Sequence, residues 1–210
     1  MRVWDLCSGT GSVSRVWADA GHETLTLDVS RKCAQPDICA DILTWEYTDF
    51  SLAPPDVIWC SPPCIMYSRA RTHAKTPRDL DGADALVQRC LDIIDFWHPR
   101  FWILENPQTG LLKTRDVIQG LPWKDVDYCS YQDPVLCRKR TRLWTNCTDW
   151  VPRPPCAHVG HPHSAQTGPQ RVRGTGLFLP DDVMTLQTLH QVPRALTTEI
   201  MRFCENEMRN

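Results

Sequence analysis

A cysteine follows two prolines at Pro62-Pro63-Cys64, directly after DVIWC (56–60), a short apolar run typical of a buried strand. Proline has no N–H to donate to a sheet, so the strand must end here. The fixed φ of proline makes a stiff turn that directs the next side chain away from the sheet edge. A thiol in this position is a candidate nucleophile. Basic residues that would favour its reactive thiolate form follow it: Arg69, Arg71 and His73. The alternative is that Cys64 is one more buried thiol among eleven cysteines.

A carboxylate ends a second apolar run, RFWILEN (100–106). Glu105 should be partly desolvated there, which suits a group that donates a proton. The alternatives are a glutamate that caps a helix or one that forms a salt bridge.

Arginines alternate in CRKRTRLWTN (137–146), so Arg140 and Arg142 share one face of a strand and Lys139 and Thr141 share the other. Two guanidinium groups on one face can clamp a carbonyl oxygen or a phosphate. A solvated run of charge is the alternative. The run leads into the apolar LWTN, which favours a strand that enters the core.

A glycine turn, DLCSGTGS (5–12), follows the first apolar run, RVWDL (2–6). Gly9 and Gly11 let the backbone turn sharply and approach a ligand closely. Asp28 ends the next strand, where a carboxylate can accept from ribose hydroxyls, and Asp41 lies beyond it, where it can accept from an adenine amino group. The third glycine of a dinucleotide-binding turn is missing, which favours a nucleoside cofactor without pyrophosphate, such as S-adenosylmethionine. The alternative is a turn that needs glycine for its geometry alone.

Strands that alternate with helices must position these residues. The pattern predicts strands at 2–6, 23–29, 56–60 and 100–106, and a final antiparallel pair at 125–133 and 139–146. It predicts helices in VSRVWADAG (13–21), Asp81–Trp97 and from about Arg194 to the C-terminus, with Pro193 at its start. The fold class is therefore α/β, a doubly wound Rossmann-like mixed sheet with helices on both faces. Ligands of such sheets bind at the carboxyl ends of the strands.

Length, net charge and cysteine content limit the possible functions. A chain of 210 residues suggests one domain, and a net charge of −2 excludes a generally basic surface but not a local one. No apolar stretch has the length of a signal peptide or a membrane span. Eleven cysteines without a secretory signal are typical of a protein whose thiols are reduced. We therefore expect a cytoplasmic location, or a nuclear one in a eukaryote. The lack of a long apolar stretch leads us to expect no membrane contact.

In this order the motifs resemble those of the cytosine-C5 DNA methyltransferases. DLCSGTG resembles their S-adenosylmethionine loop, PPCIMYS their proline-cysteine stretch, LENP their Glu-Asn-Val motif and RKRTRLW their Gln-x-Arg-x-Arg motif. QVPRALTTEIMRF resembles the C-terminal helix that completes the methionine pocket. The resemblance covers most of residues 1–146 and about 185–205, and it implies a methyltransferase fold with S-adenosylmethionine as cofactor and DNA, duplex or single-stranded, as substrate.

The resemblance implies roles for the matching residues. Cys64 would attack C6 of the cytosine and Glu105 would protonate or hydrogen-bond N3, while Arg142 and Arg140 would support the base carbonyl and the active-site loop. The cofactor would be held by Asp5, Cys7, Gly9, Thr10, Gly11, Asp28, Val29, Asp41, Ile42, Pro62, Pro193 and Ala195. Nucleic acid would contact a basic loop and two further basic segments, at Ser68, Arg69, Arg71, Lys75, Arg78, Arg138, Arg171 and Arg173.

Three positions depart from the family pattern: Ile65 and Arg138 stand where glutamine is usual, and Pro107 replaces valine. We predict a catalytic core at 1–146, a short loop-rich recognition insert at 147–181 and a C-terminal segment at 182–210 that returns to the core. The insert is short for a target-recognition domain, so a protein partner could supply sequence specificity.

Other activities stay open: methylation of cytosine N4, of RNA or of a nucleotide, or a cofactor-binding nucleic-acid module without turnover. SPPC keeps the Ser-Pro-Pro of amino-methyltransferases but has a thiol in place of their stacking aromatic residue, which favours attack at C5. A Cys/His patch offers zinc ligands at Cys147, Cys156, His158, His161 and His163. It has no Cys-x-x-Cys pair, so we expect no metal and favour a polar loop.

Overall fold

The computed structural model describes residues 1–49, 51–69, 71, 74–131, 139–156 and 190–209. Within these ranges seven strands form one sheet in the order β3-β2-β1-β4-β5-β7-β6. The strands are β1 (Arg2–Leu6), β2 (Glu23–Asp28), β3 (Ile38–Cys39), β4 (Val57–Cys60), β5 (Phe101–Pro107), β6 (Trp123–Asp127) and β7 (Arg140–Thr145). Strands β1 to β5 pair in parallel, whereas β7 is antiparallel to both β5 and β6. This confirms the predicted mixed sheet with an antiparallel final hairpin.

Three long helices cover the sheet within the same ranges: α1 (Ser12–Asp19), α2 (Leu80–Trp97) and α3 (Arg194–Arg209). Helices α1 and α3 pack against each other in one hydrophobic cluster, and α2 packs in a second cluster. The predicted helices on both faces are therefore confirmed. Short 3-10 turns occur at Leu112–Thr114, Asp116–Ile118 and Tyr128–Ser130.

Alternation along the strands divides the core between the two faces. Val3 and Trp59 point to the cluster of α1 and α3, whereas Trp4 and Ile58 point to the cluster of α2. Both faces are buried, which explains why the central strands read as continuous apolar runs. On β5 the same alternation places Glu105 on the face of α1 and α3.

Strand β6 differs from its predicted bounds, because it ends at Asp127 and a 3-10 turn begins at Tyr128. There Tyr128 N donates to Lys139 O at 3.0 Å and Tyr131 N donates to Tyr128 O at 2.8 Å, so the hairpin bends and the Tyr128 ring enters the core. Strand β3 was not predicted, since two residues carry no periodic signal.

The predicted boundaries of the insert at 147–181 and of the segment at 182–210 stay predictions, because most of the insert lies outside the described residues. No helix in the described ranges is both long enough and apolar enough to cross a membrane. The cellular compartment stays a prediction as well.

Candidate active site

The turn that carries Cys64 is tied to the sheet by a side chain. Asn106, the residue after Glu105 on β5, donates from Nδ2 to the carbonyl oxygen of Pro62 at 2.9 Å. Beyond the prolines, Tyr67 N donates to Cys64 O at 3.1 Å and closes the turn. The thiol therefore leaves β4 at the carboxyl edge of the sheet, as predicted.

The far end of this turn is anchored on α2. The Tyr67 side chain is 1% exposed, and its hydroxyl donates to Asp84 Oδ1 at 2.7 Å. Arg115 Nε donates to the other oxygen of Asp84 at 2.8 Å. Burial and the bond to Asp84 raise the pKa of Tyr67, so the hydroxyl stays protonated and keeps its bond.

Glu105 lies in a buried pocket of polar groups. The residue is 7% exposed, and its Oε1 accepts from the Tyr128 hydroxyl at 3.0 Å. Lys139 Nζ lies 3.5 Å from the same oxygen and 4.7 Å from the centre of the Tyr128 ring. Neither Tyr128 nor Lys139 was among the predicted site residues.

The Cys64 thiol has a raised pKa, first because it is buried and second because of the negative charge of Glu105; the positive charge of Lys139 lowers it. The expectation of a thiolate stabilised by the basic loop is therefore wrong for the protein alone. Arg71 donates within its own loop, to Thr76 O at 2.8 Å and to Pro77 O at 3.0 Å. His73 lies outside the described residues.

Arg140 and Arg142 do share one face of β7, but that face is not the face of Glu105. Glu105 is opposite Leu143 in the antiparallel pair, so the odd-numbered residues of β7 lie on its side. Arg142 instead pairs with Asp125 through two bonds of 2.7 and 2.9 Å and stacks 3.6 Å above the Trp123 ring.

Arg140 pairs with Asp127 at 3.0 Å, across the same two strands. In this structure the two guanidinium groups therefore do not form the predicted clamp on a base carbonyl or a phosphate. Opposite charges on β6, directly across from each arginine, attract the guanidinium groups to the edge of the sheet.

The glycine turn follows β1 as predicted. Gly9 and Gly11 have φ of +50° and +64°, and Cys7 has φ of +56°. Gly9 N donates to Asp28 Oδ2 at 2.9 Å, and Ser30 N donates to Asp28 Oδ1 at 2.8 Å. Asp28 thus joins the turn to the end of β2, while it keeps further lone pairs for a ligand.

Asp5 lies beneath this turn, 1% exposed, and accepts from Ser14 N at 3.1 Å. Burial raises its pKa to about 7; the bonds from Ser14 lower it and the charge of Asp28 raises it further. Asp5 is thus a buried group that supports the turn from below, and it titrates near neutral pH.

Exposed apolar side chains and a carboxylate follow β2 and β3 along the chain. Val29 is 69% exposed and Leu43 is 42% exposed, and the exposed Asp41 accepts from Leu43 N at 3.0 Å. Ile42 differs from its predicted role, because it is 4% exposed and packs in the cluster of α2. Exposed apolar groups beside free carboxylate oxygens fit an adenosine moiety, which needs an apolar face for its base and acceptors for its hydroxyls and amine.

A cleft of about 140 Å³ opens beside the glycine turn. It is lined by Ser8, Thr10, Gly11, Ser14, Arg15, Thr26, Ala34, Gln35 and Pro36. The start of α3 is held nearby, since Val192 N donates to Ser12 Oγ at 3.0 Å. This bond places the buried Pro193 and the partly buried Ala195 against α1.

The basic loop is shaped by its own arginines. Arg78 donates to Met66 O and to Ser68 O, the latter at 3.0 Å. Arg78, like Arg71, is therefore a structural group of the loop, which differs from the predicted contact with phosphate. Arg69 and Lys75 are exposed. Arg138, Arg171 and Arg173 lie outside the described residues.

The candidate zinc ligands Cys147 and Cys156 have separate partners. Cys147 is 2% exposed and its thiol lies beside that of Cys204, whereas the thiol of Cys156 lies beside that of Cys129. In the part of the chain that the structure describes, no three His, Cys, Asp or Glu side chains form a group that could hold a metal. The three predicted histidine ligands lie outside it: His158, His161 and His163.

The sheet order and the edge that carries these groups define a doubly wound methyltransferase-type fold. No protein-family model matches the chain. Solved structures that share the fold include a prophage-encoded protein of E. coli described as a DNA modification methyltransferase (TM-score 0.50, 17% identity, 69% of this chain covered). They also include the Entamoeba histolytica methyltransferase EhMeth (TM-score 0.52, 12% identity, 68% of this chain covered). This chain covers 46% and 52% of their lengths, or about half.

The sequence comparison defines the family more closely. A protein of Frog virus 3 (isolate Goorha) that carries the name DNA (cytosine-5)-methyltransferase is 33% identical over 97% of this chain and 100% of its own length. The chain belongs to the DNA (cytosine-5)-methyltransferase family.

Proposed function

We propose that this protein transfers a methyl group from S-adenosylmethionine to C5 of cytosine in DNA, through a covalent bond between Cys64 and C6 of the base. The observation that carries the proposal is geometric: Asn106, the residue after Glu105, holds the Pro62 carbonyl oxygen of the Cys64 turn at 2.9 Å, so the thiol and the carboxylate leave adjacent parallel strands at one sheet edge. The Cys64 thiol, in the turn after β4, lies within the field of the Glu105 carboxylate, near the end of the neighbouring β5.

Cytosine needs both groups, because its C5 is too poor a nucleophile to take a methyl group directly. The thiolate adds to C6 and Glu105 gives a proton to N3, so the ring becomes an enamine whose C5 is nucleophilic. The bound cofactor supplies an electrophilic sulfonium methyl group. A base then removes the C5 proton, the Cys64 thiolate leaves, and N3 returns its proton to Glu105.

The charge of Glu105 links the formation of the Cys64 thiolate to the protonation of N3. As a carboxylate it raises the pKa of Cys64, and once it holds a proton that effect ends. Movement of the thiol proton to Glu105 therefore produces the nucleophile and the acid together. The proton then passes to N3 as the carbon–sulfur bond forms. The Tyr128 hydroxyl, 3.0 Å from Oε1, orients the carboxyl group.

The residues around the glycine turn fit the cofactor. The turn at Gly9 and Gly11 allows close backbone approach, and Asp28 and Asp41 offer acceptors for ribose hydroxyls and the adenine amino group. Val29 and Leu43 offer the apolar surface for the base.

The substrate in this proposal is DNA whose target base has left the stack, because the thiol lies in a turn that a stacked base does not reach. Arg69 and Lys75 are exposed on the loop after Cys64, where they would contact phosphates. A protein partner that supplies sequence specificity stays a prediction.

The test is a covalent trap with 5-fluorocytosine, whose C5 fluorine prevents release of the enzyme. The protein is incubated with S-adenosylmethionine and DNA that contains this base, in duplex and single-stranded form. A denaturant-stable adduct is expected for the wild type and for Cys33→Ala, which removes an exposed thiol, and not for Cys64→Ala.

Other outcomes separate the alternatives. Methyl transfer to ordinary DNA without an adduct would indicate N4 chemistry and would contradict the proposal. If the protein forms no adduct with DNA and does not methylate it, but methylates RNA, then the substrate is RNA. Cofactor binding with no transfer to any nucleic acid would indicate a binding module.

A further inference from the structure

Lys139 is partly buried beside Glu105, and its positive charge acts on Cys64. Its side chain is 14% exposed, and Nζ lies 3.5 Å from Glu105 Oε1 and 4.7 Å from the centre of the Tyr128 ring. Its own backbone oxygen accepts from Tyr128 N at 3.0 Å, so the hairpin of β6 and β7 holds it in place. An ammonium group loses much hydration on burial, so a lysine at this depth needs compensating partners.

The arginines implied by the family resemblance do not occupy this position. Arg140 and Arg142 are paired with Asp127 and Asp125 across the hairpin, on the face of β7 away from Glu105. Among the described residues, the cation that pairs with Glu105 is Lys139.

We infer that Lys139 is a catalytic residue whose ammonium group binds the O2 carbonyl of the target cytosine while Glu105 binds N3. The inference rests on the proposed function. N3 and O2 are attached to the same ring carbon, so a cation within ion-pair distance of the carboxyl group at N3 is placed to reach O2.

The charges favour this arrangement. When the thiolate adds to C6, the electron pair of the C5–C6 double bond moves into the ring and negative charge develops on N3 and O2. The proton on Glu105 passes to N3, and Lys139 keeps its proton and stabilises the charge on O2. A fixed cation at the position where charge develops contributes most when water is excluded.

Besides Cys64 and Tyr128, His190 is a titratable group of the described residues that interacts with this pair. His190 is exposed, and partial loss of hydration lowers its pKa first; the positive charge of Lys139 lowers it further, while Glu105 raises it. His190 is therefore neutral at physiological pH and does not supply the cation in place of Lys139.

The first test needs no nucleic acid. The rate at which iodoacetamide alkylates Cys64 is followed by mass spectrometry of its peptide between about pH 6 and 10, because only the thiolate reacts. Lys139→Gln should slow alkylation at pH 8 by about tenfold, because loss of the positive charge raises the pKa of Cys64. Glu105→Gln should accelerate it, and Lys139→Arg should resemble the wild type.

Two further variants are included for comparison. Lys32→Gln removes an exposed lysine that follows β2, away from Glu105 and Cys64 in the sheet order, and should leave alkylation unchanged. Lys139→Met keeps the length of the side chain without its charge, so it replaces Lys139→Gln if that variant does not fold. Alkylation of Cys64 in Lys139→Met at the wild-type rate would overturn the inference.

The second test measures methyl transfer. Lys139→Gln should lower kcat by about a hundredfold with little change in KM, as expected for the loss of a group that acts on developing charge, and Lys139→Arg should recover part of it. Transfer within about threefold of the wild type would overturn the inference. If the wild type transfers no methyl group while its alkylation depends on Lys139, the proposed function fails and the electrostatic part of the inference stands.

Discussion

The side-chain amide of Asn106 donates to the carbonyl oxygen of Pro62 at 2.9 Å, and both residues are buried. This bond joins the end of β5 to the turn that carries Cys64. Because proline has no amide N–H, the two prolines cannot fix the turn through their own donors, and a side chain of the neighbouring strand does so. The strand that carries Glu105 thus also positions the thiol.

Asn106→Ala should therefore affect the nucleophile more than the fold. Loss of the bond leaves the Pro62 carbonyl without its donor, which should cost about 1–3 kcal/mol in the free energy of unfolding. Methyl transfer should fall by about 10- to 100-fold, because the thiol is no longer held in place. Urea unfolding and the yield of the 5-fluorocytosine adduct measure the two effects.

Asn146→Ala is the matched control. Asn146 ties the other end of β5, since its Oδ1 accepts from Trp102 N at 2.9 Å and its Nδ2 donates to Arg100 O at 3.0 Å. This variant should lose stability and keep the adduct yield of the remaining folded protein. Equal loss of adduct in both variants would contradict a specific role of Asn106.

Tyr128→Phe removes the hydroxyl that donates to Glu105 Oε1 at 3.0 Å and keeps the buried ring. The carboxyl group should lose its fixed orientation, so kcat should fall by about tenfold or more with little change in KM. Steady-state methyl transfer measures this. Tyr131→Phe is the control, because its hydroxyl instead accepts from Arg153 N; an equal fall of kcat in that variant would indicate a general effect of hydroxyl loss.

Asp5→Asn should change how stability depends on pH. The pKa of Asp5 is raised to about 7 in the folded protein, chiefly by burial, against an ordinary value of 3.8 for an aspartate. The folded state therefore binds a proton more tightly than the unfolded state. The contribution of Asp5 to the free energy of unfolding is therefore fully present below about pH 4 and is lost as the pH rises through about 7.

The asparagine variant has no charge to bury, so it should be more stable than the wild type at pH 8, by up to about 4 kcal/mol, and should lose this advantage at pH 4. Urea unfolding at both pH values gives the difference. A constant advantage of Asp5→Asn across this range would show that Asp5 does not titrate there.

Arg142→Gln distinguishes the role that the structure indicates for Arg142, an ion pair across the hairpin, from the role that the family resemblance implies, a contact with the base. If Arg142 acts through its pair with Asp125 and its stacking on Trp123, stability should fall by about 1 kcal/mol and kcat should change far less than in Lys139→Gln. Thermal unfolding and methyl transfer, measured with Arg140→Gln in parallel, provide the comparison. A loss of kcat as large as that of Lys139→Gln would assign the base contact to Arg142.

The elements of the fold could be predicted from local patterns. Bounded apolar runs marked the central strands, and proline, glycine and carboxylates marked their ends, because backbone donors and permissive dihedral angles are local properties. Parallel strands expose their carboxyl ends at one edge, so Cys64, Glu105 and Asp28 were expected to lie there, and they do. Strand β3 and the 3-10 turn at Tyr128 depend on distant partners and left no local signal.

Alternation in the sequence was enough to give β7 two faces, with Arg140 and Arg142 on one and Lys139 and Thr141 on the other. Which face meets Glu105 depends on the tertiary fold, through the pairing of Glu105 with Leu143. A shift of that register by one residue would exchange the faces, and alternation within a strand does not specify the register. Among the described residues, the cation beside the carboxylate is therefore Lys139, because the position of β5 relative to β7 is set by packing across the whole sheet.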